Sequence, residues 1–366
     1  MTGVQTCALP ICLPVRVVLD ATPLLGVRTG IGRSVEGLLD GFAQLPDAPD
    51  LALVAFTRSR ERPRAASGTW VGPRIPARLL QTAWGIAPFP PAEMLFGPSE
   101  VVHGTNFVLP PRRRAGGVVT IHDLAFLLHP STVTPAVRRL QSLIPQLVIS
   151  ADAVITPTDA VADLVAEHLP ITRDRVHAVH HGIDPRWAGT AEPDDDWKLA
   201  HGLPPTYVLF VGTLEPRKDL PTLVAALRLL GRTAPTLVLA GAAGWGPPVD
   251  VPVGTVRLGW VEDDVLRRAV AGAHVLVLPS LDEGFGLPAL EALACGTAVI
   301  ASDLPVLREV LGDHATYCAV GDVDGFAAAL SEPAVSSRSA RRAHAAAFTC
   351  KACADATLAV YGGVTR

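Results

Sequence analysis

Short, uniformly apolar runs alternate with helix-like segments along most of the chain. The clearest of these runs are VRVVLD (15–20), LALVAF (51–56), GVVTIHD (117–123), DAVITPT (152–158), YVLFVG (207–212), TLVLAG (236–241) and HVLVLPS (274–280). Strands that are apolar at every position are buried on both faces, which is typical of a parallel sheet covered by helices. The alternation therefore predicts an α/β chain with parallel sheets.

The length of the chain predicts two domains. A single hydrophobic core rarely grows beyond about 250–300 residues, and this chain has 366, of which 49% are hydrophobic. The stretch 180–205 is polar and rich in Pro and Gly, as linkers are. We expect two Rossmann-like domains, residues 12–185 and 186–345, whose sheets face a common cleft. Ligands of such sheets bind beyond the carboxyl ends of the strands, so the cleft is the predicted site.

Residues 1–11, MTGVQTCALPI, are treated apart from the fold. They lack the charged n-region and the apolar h-region of a secretory signal. Read codon by codon, they resemble the translation of a sequencing-adapter oligonucleotide. We interpret them as an artefact and begin the first domain at residue 12.

Composition and charge argue against several function classes. The formal net charge is −4 at neutral pH, which does not favour nucleic acid as a partner. The apolar segments are short and interrupted, so we expect no membrane-spanning helix. Cys350 and Cys353 form a single CxxC without the second ligand pair of a zinc site. Buried thiols in a reducing cytoplasm are the expectation.

Two carboxylates bracket a glycine turn in EGFGLPALE, from Glu283 to Glu291. An apolar strand precedes the turn and a helix follows it, with Pro288 in its first turn. Gly284 and Gly286 allow a ligand to approach the backbone closely, and amides at a helix start favour phosphate or sugar oxygens. Carboxylates accept hydrogen bonds from neighbouring hydroxyls, so the pair suits a ribose or a hexose. The alternative is a capping acid plus a solvated helical Glu.

A basic pair, Arg217-Lys218, lies between another strand and the helix that follows it. The strand ends at Gly212, and we expect the helix to begin near Leu220. Arg offers a planar fork of donors and Lys a compact charge, and both suit a diphosphate. The alternative is a solvated basic pair at a turn.

Taken in order along the chain, these motifs resemble the glycosyltransferases of family 4, which have the two-domain GT-B fold. The likeness rests on the E-x7-E pair, the Arg-Lys pair and the run 279–297, together with TGIGR (29–33) and TIHDLAFLLHP (120–130) in the first half. It extends over residues 15–361. E-x7-E alone occurs in unrelated proteins, whereas the ordered set is specific.

The resemblance implies a role for each matched position. Arg217 and Lys218 would neutralise the diphosphate leaving group of a nucleotide sugar. His122 and Glu283 would complete the catalytic set by contacting the donor sugar, and Glu291 would bind the ribose. The residues that would bind the donor are Gly30, Gly32, Gly212, Arg217, Lys218, Val261, Glu283, Gly284, Phe285, Gly286, Leu287 and Glu291, with the backbone near Val261 at the base.

Three further residues of the first half keep two interpretations. Asp123 would orient His122 or cap the next segment. His103 and Asn106, in VVHGTNF, line the acceptor side or serve packing.

No metal or other cofactor is expected. The acidic runs DDD (194–196) and DVD (322–324) do not follow a strand beside the basic pair, and we interpret them as solvated. Arg217 and Lys218 would supply the positive charge that a metal ion supplies elsewhere.

The resemblance also indicates the substrates. The family retains anomeric configuration, and TIHDLAFLLHP most resembles mannosyl- and rhamnosyl-type members of polysaccharide assembly. The expected donor is GDP-mannose, and the expected acceptor is a glycan or lipid-linked glycan. PRRR (111–114) and residues 137–148 would face a membrane surface or form an ordinary solvated patch. The alternatives are a catalytically silent nucleotide-sugar-binding protein and another GT-B enzyme such as an epimerase.

One departure from the family lies near the C-terminus. The last helix, here within residues 346–366, usually crosses back onto the first domain and often carries a Trp-Glu pair. In this chain the pair reads Cys350-Lys351. We expect the change to cost packing there and to leave the site motifs intact.

Overall fold

The computed structural model describes residues 14–26, 29–63, 65–138, 144–332 and 336–365. Residues 1–11, interpreted above as an artefact, lie outside these ranges, as do residues 139–143 of the basic stretch. The described residues form two parallel sheets, each between two hydrophobic clusters. This arrangement confirms the predicted α/β class.

The first sheet has the strand order β3-β2-β1-β4-β5-β6-β7, and every described pair is parallel. Its strands are β1 (Arg16–Asp20), β2 (Asp50–Val54), β3 (Thr69–Trp70), β4 (Val101–Gly104), β5 (Gly116–Thr120), β6 (Ala153–Thr156) and β7 (Val176–Ala178). The helices among them are α1 (Gly30–Phe42), α2 (Ala77–Ile86), α3 (Ala92–Phe96), α4 (Ala125–Leu128), α5 (Pro135–Arg138), α6 (Ile144–Ser150) and α7 (Asp159–His168).

The second sheet has the order β10-β9-β8-β11-β12-β13 and is also parallel. Its strands are β8 (Tyr207–Val211), β9 (Thr236–Ala240), β10 (Val256–Gly259), β11 (Val275–Leu278), β12 (Ala298–Ser302) and β13 (Thr316–Cys318). The helices of this half are α8 (Asp195–Ala200), α9 (Leu220–Leu230), α10 (Asp263–Ala271), α11 (Leu287–Cys295), α12 (Pro305–Leu311), α13 (Val323–Ser331), α14 (Arg338–Ala345) and α15 (Cys350–Val364).

Burial on both faces explains why the central strands are apolar throughout. In β8, Tyr207 and Leu209 enter one hydrophobic cluster, while Val208 and Phe210 enter the cluster on the opposite face. All four side chains are fully buried. Successive residues of a strand point to opposite faces, so a strand with helices on both sides needs an apolar residue at every position.

Two segments pass between the halves side by side. Ile183 pairs with Thr349 in a parallel bridge, and its N–H donates to the carbonyl of Phe348 at 3.0 Å. Helix α15 then packs on α1, where the rings of Phe42 and Tyr361 lie 6.0 Å apart. The departure at Cys350 lies in this contact, and it is closely packed: a Cβ on Gly41 of α1 would lie 2.0 Å from the Cys350 carbonyl oxygen.

The two acidic runs begin helices. Asp194 accepts from the N–H of Trp197 at 2.8 Å and caps α8, and Asp322 accepts from the N–H of Gly325 at 3.0 Å and caps α13. The interpretation of both runs as merely solvated is therefore incomplete. Their first residues satisfy amides at helix N-termini.

Candidate active site in the interdomain cleft

The glycine turn before α11 brings the second half into contact with the first. Gly286 precedes α11 with a left-handed backbone (φ 85°), a conformation that favours glycine. A Cβ on Gly284 would lie 2.0 Å from the carbonyl oxygen of His122. The ring of Phe285 packs on His181 with centroids 4.9 Å apart. Gly284 and Phe285 therefore contact the first half directly.

Glu283 is a buried carboxylate, 5% exposed, with its partners in its own domain. Lys218 Nζ donates to its two oxygens at 2.7 and 2.9 Å, and Ser280 Oγ donates at 2.7 Å. Burial acts to raise the pKa of Glu283, but Lys218 and Arg217 outweigh burial, and the pKa lies below its ordinary value. Glu283 is therefore ionised at neutral pH.

Arg217 lies in a 3-10 turn, Pro216–Lys218, shortly after β8. Its Nη1 donates to the backbone carbonyl of Asp282 at 2.9 Å, and its Nη2 donates to the carboxylate of Glu215 at 3.0 Å. The same Nη1 lies 3.9 Å from Asp123 Oδ2 of the first half. These contacts hold the guanidinium at the cleft.

A cavity between the two halves is lined by five of the twelve predicted donor-binding positions, whereas Arg217, Lys218 and Glu283 do not line it. Its volume is about 150 Å³. The first half contributes Thr29, Gly30 and Arg33, and the second half contributes Gly212, Val261, Leu287 and Glu291 among others. Thr29 caps α1 by accepting from Gly32 N–H at 3.4 Å, so the helix start faces this cavity. Gly32 itself packs on Pro23, where a Cβ would lie 2.7 Å from the carbonyl oxygen.

Glu291 has a partner that the sequence analysis did not anticipate. Arg33 Nη1, from α1, lies 2.9 and 3.2 Å from the two oxygens of Glu291. Arg33 Nη2 donates to Asp263 of α10 at 3.0 Å. Arg33 belongs to the TGIGR motif, in which the sequence analysis assigned roles to the glycines.

His122 is buried at the end of the segment that follows β5. Its Nε2 lies 2.8 Å from the carbonyl oxygen of Thr105, a contact that requires the proton on Nε2 and leaves Nδ1 as an acceptor. Burial lowers the pKa of His122 more than Thr105 and Asp123 raise it, so the ring is neutral at pH 7. Asp123 accepts from the N–H of Ala125 at 3.1 Å. Of its two predicted roles, the geometry favours capping.

His103 has a packing role rather than an exposed position on the acceptor side. Its Nδ1 lies 2.7 Å from the hydroxyl of Tyr361, and its Nε2 lies 2.8 Å from Thr120 Oγ1. Both ring nitrogens are therefore engaged, and the side chain is 2% exposed. Asn106 differs, because its Oδ1 is buried without a hydrogen-bond partner among the described residues.

Glu309 of α12 is a second contact between the halves that the sequence analysis missed. Its two oxygens accept from the backbone N–H groups of Asp159 and Ala160, at 2.8 and 3.0 Å, at the start of α7. Oε1 also lies 2.8 Å from His180 Nε2. The local sequence around Glu309 gives no sign of a partner 150 residues away.

The part of the chain that the structure describes offers neither a metal cluster nor a membrane span. No group of three or more His, Cys, Asp or Glu side chains there could hold a metal ion. No described helix is long and apolar enough to cross a membrane. Cys295, Cys318, Cys350 and Cys353 are buried free thiols.

The chain matches two protein-family models. The model described as "Glycosyltransferase Family 4" matches residues 28–187, and the model described as "Glycosyl transferases group 1" matches residues 205–333. The chain is 32% identical over 245 residues to O-antigen chain mannosyltransferase B of Escherichia coli, a match that covers 62% of this chain and 63% of that protein. The chain thus spans about three fifths of the length of this curated relative.

Solved structures resemble the chain over nearly its full length. Sucrose-phosphate synthase from Thermosynechococcus elongatus aligns with a TM-score of 0.71 and 19% identity, covering 95% of this chain and 98% of that one. HepE from Anabaena, in complex with UDP and glucose, aligns with a TM-score of 0.67 and 14% identity, covering 95% and 99%. These likenesses concern the GT-B fold. By the two family models, the chain contains a glycosyltransferase family 4 domain at residues 28–187 and a glycosyl transferases group 1 domain at residues 205–333.

Proposed function

We propose that this chain is a retaining glycosyltransferase that moves a hexose from a nucleotide-diphosphate sugar to a glycan or lipid-linked glycan in polysaccharide or glycoconjugate biosynthesis. The observation that carries the proposal is the convergence of Arg217, Lys218 and Glu283 just before α11, where the glycine turn contacts His122. GDP-mannose is the donor to test first, because a relative of the chain is named as a mannosyltransferase.

The basic pair would act on the leaving group. Negative charge grows on the departing diphosphate as the glycosidic bond breaks and the sugar becomes oxocarbenium-like. Cations that are already in place at that charge lower the barrier. Arg217 is held by Asp282 and Glu215, and Lys218 by Glu283. A guanidinium has five N–H donors and an ammonium three, so each cation has donors left for phosphate oxygens.

Glu283 and His122 would act on the sugar. Glu283 is ionised, and a carboxylate accepts hydrogen bonds from neighbouring sugar hydroxyls while it stabilises positive charge nearby. His122 is neutral, with Nδ1 as an acceptor for a hydroxyl. The two side chains come from opposite halves, so the sugar would be bound where the halves meet.

We propose that the reaction needs no metal ion and takes place in the cytoplasm. A peripheral contact with the membrane surface is a further prediction. Arg112 is tied to Asp152 at 2.6 Å, whereas Arg113 and Arg114 are exposed. The latter two are therefore the residues of PRRR that a membrane surface would meet. Flotation with anionic vesicles, compared between the wild type and Arg113→Gln/Arg114→Gln, tests this part separately.

A thermal-shift screen tests the proposed function. The protein without residues 1–11 is screened against GDP, UDP, ADP and TDP and their sugars, in EDTA. We expect one nucleotide family to stabilise the wild type but not Arg217→Ala or Glu291→Ala, and NMR of the product to show a retained anomer. Stabilisation without transfer to any acceptor or to water supports the silent alternative. If no nucleotide shifts the melting temperature of a protein whose circular dichroism spectrum shows that it is folded, the assignment of the donor site is contradicted.

A further inference from the structure

The two carboxylates of the E-x7-E pair accept hydrogen bonds from different halves of the molecule. Glu283 contacts Lys218 and Ser280, which belong to its own half. Glu291 accepts its hydrogen bonds, among the described residues, from Arg33 of the opposite half, at 2.9 and 3.2 Å. Its charge is therefore balanced across the cleft.

Contacts of both the backbone and the side chain hold Arg33 in place. Its backbone N–H donates to the carbonyl of Thr29 in the first turn of α1, and its Nη2 donates to Asp263 at 3.0 Å. The guanidinium carbon lies 5.9 Å from the ring centroid of Trp187 in the segment between the halves. The side chain is 24% exposed. The guanidinium thus joins α1, α10, α11 and the interdomain segment at one point.

Glu291 lies in a buried environment that disfavours its charged form. The residue is 4% exposed, and burial raises the pKa of its carboxyl to about 7, against the opposing effect of Arg33 and with Asp263 and Asp184 adding to the rise. The thiol of Cys295 on its own helix is protonated, because burial and Glu291 raise its pKa to about 12. Arg33 and Glu291 also line a second cavity, and its remaining charged side chains are Glu36, Asp40, Arg186 and Arg267.

The consequence is that loss of Arg33 would favour the protonated form of Glu291. An ionised carboxylate accepts hydrogen bonds at both oxygens and has about four acceptor positions, so Arg33 and a ribose diol can share it. A protonated carboxyl has fewer acceptor positions, and its hydrogen bonds lack the strength of charge-assisted ones.

We propose that Arg33 is a positioning residue for the nucleotide, which keeps Glu291 charged and oriented toward the two ribose hydroxyls while the two halves are in contact. The inference rests on the proposed function, because it assumes that Glu291 binds ribose. It links nucleotide binding to closure of the cleft: Arg33 leaves Glu291 when α1 moves away from α11.

The test measures how strongly the ribose hydroxyls are recognised. Titration calorimetry at pH 7.5 and 9.5 compares the nucleoside diphosphate that binds the wild type, chosen from GDP, UDP and ADP, with its 2′,3′-dideoxy form. We expect the wild type to prefer the ribose form about tenfold at both pH values, since charge-assisted hydrogen bonds are lost without the hydroxyls. Arg33→Gln should bind both forms alike at pH 7.5 and regain the preference at pH 9.5, where Glu291 ionises unaided.

Two variants serve as controls. Arg186→Gln removes an arginine that pairs with Asp184 beside the same cavity, and it should keep the wild-type preference at both pH values. Arg33→Lys retains a charge and should restore part of the preference at pH 7.5. Thermal melting of each variant establishes that it is folded.

Three results would overturn the inference, and a fourth would overturn the proposed function together with it. If Arg33→Gln binds the ribose form more tightly than the wild type does, Arg33 blocks the site. If its preference equals that of the wild type at pH 7.5, Arg33 has no positioning role. If the wild type binds a nucleotide without distinguishing the dideoxy form, the ribose role of Glu291 is wrong; failure of the wild type to bind any nucleotide instead contradicts the proposed function itself, and the inference with it.

Discussion

Lys218 Nζ lies 2.7 and 2.9 Å from the two carboxylate oxygens of Glu283. The two residues follow β8 and β11, which are neighbouring parallel strands. Loops at the carboxyl ends of adjacent strands meet at one edge of a sheet, which is why motifs 65 residues apart form one site. Removing one partner of a buried ion pair leaves the other uncompensated, so the pair also constrains what can be mutated here.

Loss of either cation should slow transfer, and Lys218→Ala should also lower stability because it leaves the buried Glu283 without its nearest cation. We expect Lys218→Ala and Arg217→Ala each to lower kcat by about 100- to 1000-fold, the usual effect of removing one group that stabilises transition-state charge. The measurement is the initial rate at saturating donor. Arg228→Ala is the matched control, because Arg228 lies in the following helix and forms an exposed pair with Asp250 at 2.6 Å. Equal losses in Arg228→Ala and Lys218→Ala would contradict the assignment.

A single methyl group at Gly284 should prevent the two halves from meeting. Its Cβ would lie 2.0 Å from the His122 carbonyl oxygen, a distance that only a backbone shift relieves. Gly284→Ala should therefore lower kcat/KM by about 100-fold or more, since small misplacements of reacting groups cost that much. Nucleotide affinity should change less, because most of that site lies in the second half.

Gly362→Ala provides the comparison for Gly284→Ala. Gly362 lies in α15, and a Cβ there meets nothing within 4 Å. Transfer by Gly362→Ala should match the wild type. If Gly284→Ala also retains full activity, contact between the glycine turn and His122 is not needed for the reaction.

Glu309 should hold the two halves in register. Its carboxylate caps α7 from the opposite half through Asp159 and Ala160. Glu309→Ala should cost about 1–2 kcal/mol in the free energy of unfolding, the usual cost of losing a helix cap, and should reduce transfer while nucleotide binding persists. Calorimetric unfolding and initial rates give the two readouts. Glu332→Ala, at an exposed position of the second half, should change neither; loss of nucleotide affinity in Glu309→Ala would contradict the predicted separation.

Glu291 should make stability fall as the pH rises through neutrality. Its pKa is raised from 4.5 to about 7 in the folded protein, mainly by burial, so the folded state binds the proton more readily than the unfolded chain between these values. The contribution of Glu291 to the free energy of unfolding is largest below pH 4.5, declines between pH 4.5 and about pH 7, and stays low above that. Glu291→Gln removes the titration and should raise the free energy of unfolding at pH 8 by about 1–3 kcal/mol, which is measured as a higher melting temperature.

The same comparison at pH 5 should show a smaller gain for Glu291→Gln. Glu283→Gln should behave in the opposite way, because Lys218 and Arg217 hold the pKa of Glu283 below its ordinary value despite burial. Its loss should lower the melting temperature at pH 7 and matter less as the pH falls below 4.5. A difference between wild type and Glu291→Gln that is constant from pH 5 to pH 8 would show that Glu291 does not titrate in this range.

The central strands of both sheets could be predicted because burial on two faces leaves a local pattern. β1 and β8 lie within one residue of the predicted runs. The sequence analysis missed β3, β7 and β13, which are two or three residues long and lie at the ends of the sheets. Edge strands are short and partly exposed, so their sequences do not differ from those of loops.

The site could be predicted where its chemistry is local and not where it joins distant segments. The Arg217-Lys218 pair and the glycine turn are short motifs with a physical reason at each position. Arg33 and Glu309, in contrast, find partners 258 and 150 residues away. Those contacts depend on how the two halves pack, which no sequence window contains. Asp123 has two predicted roles, to orient His122 or to cap the next segment; it accepts from Ala125 N–H, and Thr105 provides the contact to the His122 ring.

Release of nucleoside diphosphate from a donor sugar tests the central claim most directly. The wild type without residues 1–11 and the double variant Arg217→Ala/Lys218→Ala are each incubated with GDP-mannose, UDP-glucose and ADP-glucose in EDTA, with and without glycan acceptors. We predict that the wild type releases diphosphate from one donor at least about 100-fold faster than the double variant does. Equal release by the two proteins, or release by neither from any donor, would contradict the assignment of Arg217, Lys218 and Glu283 as the transfer site.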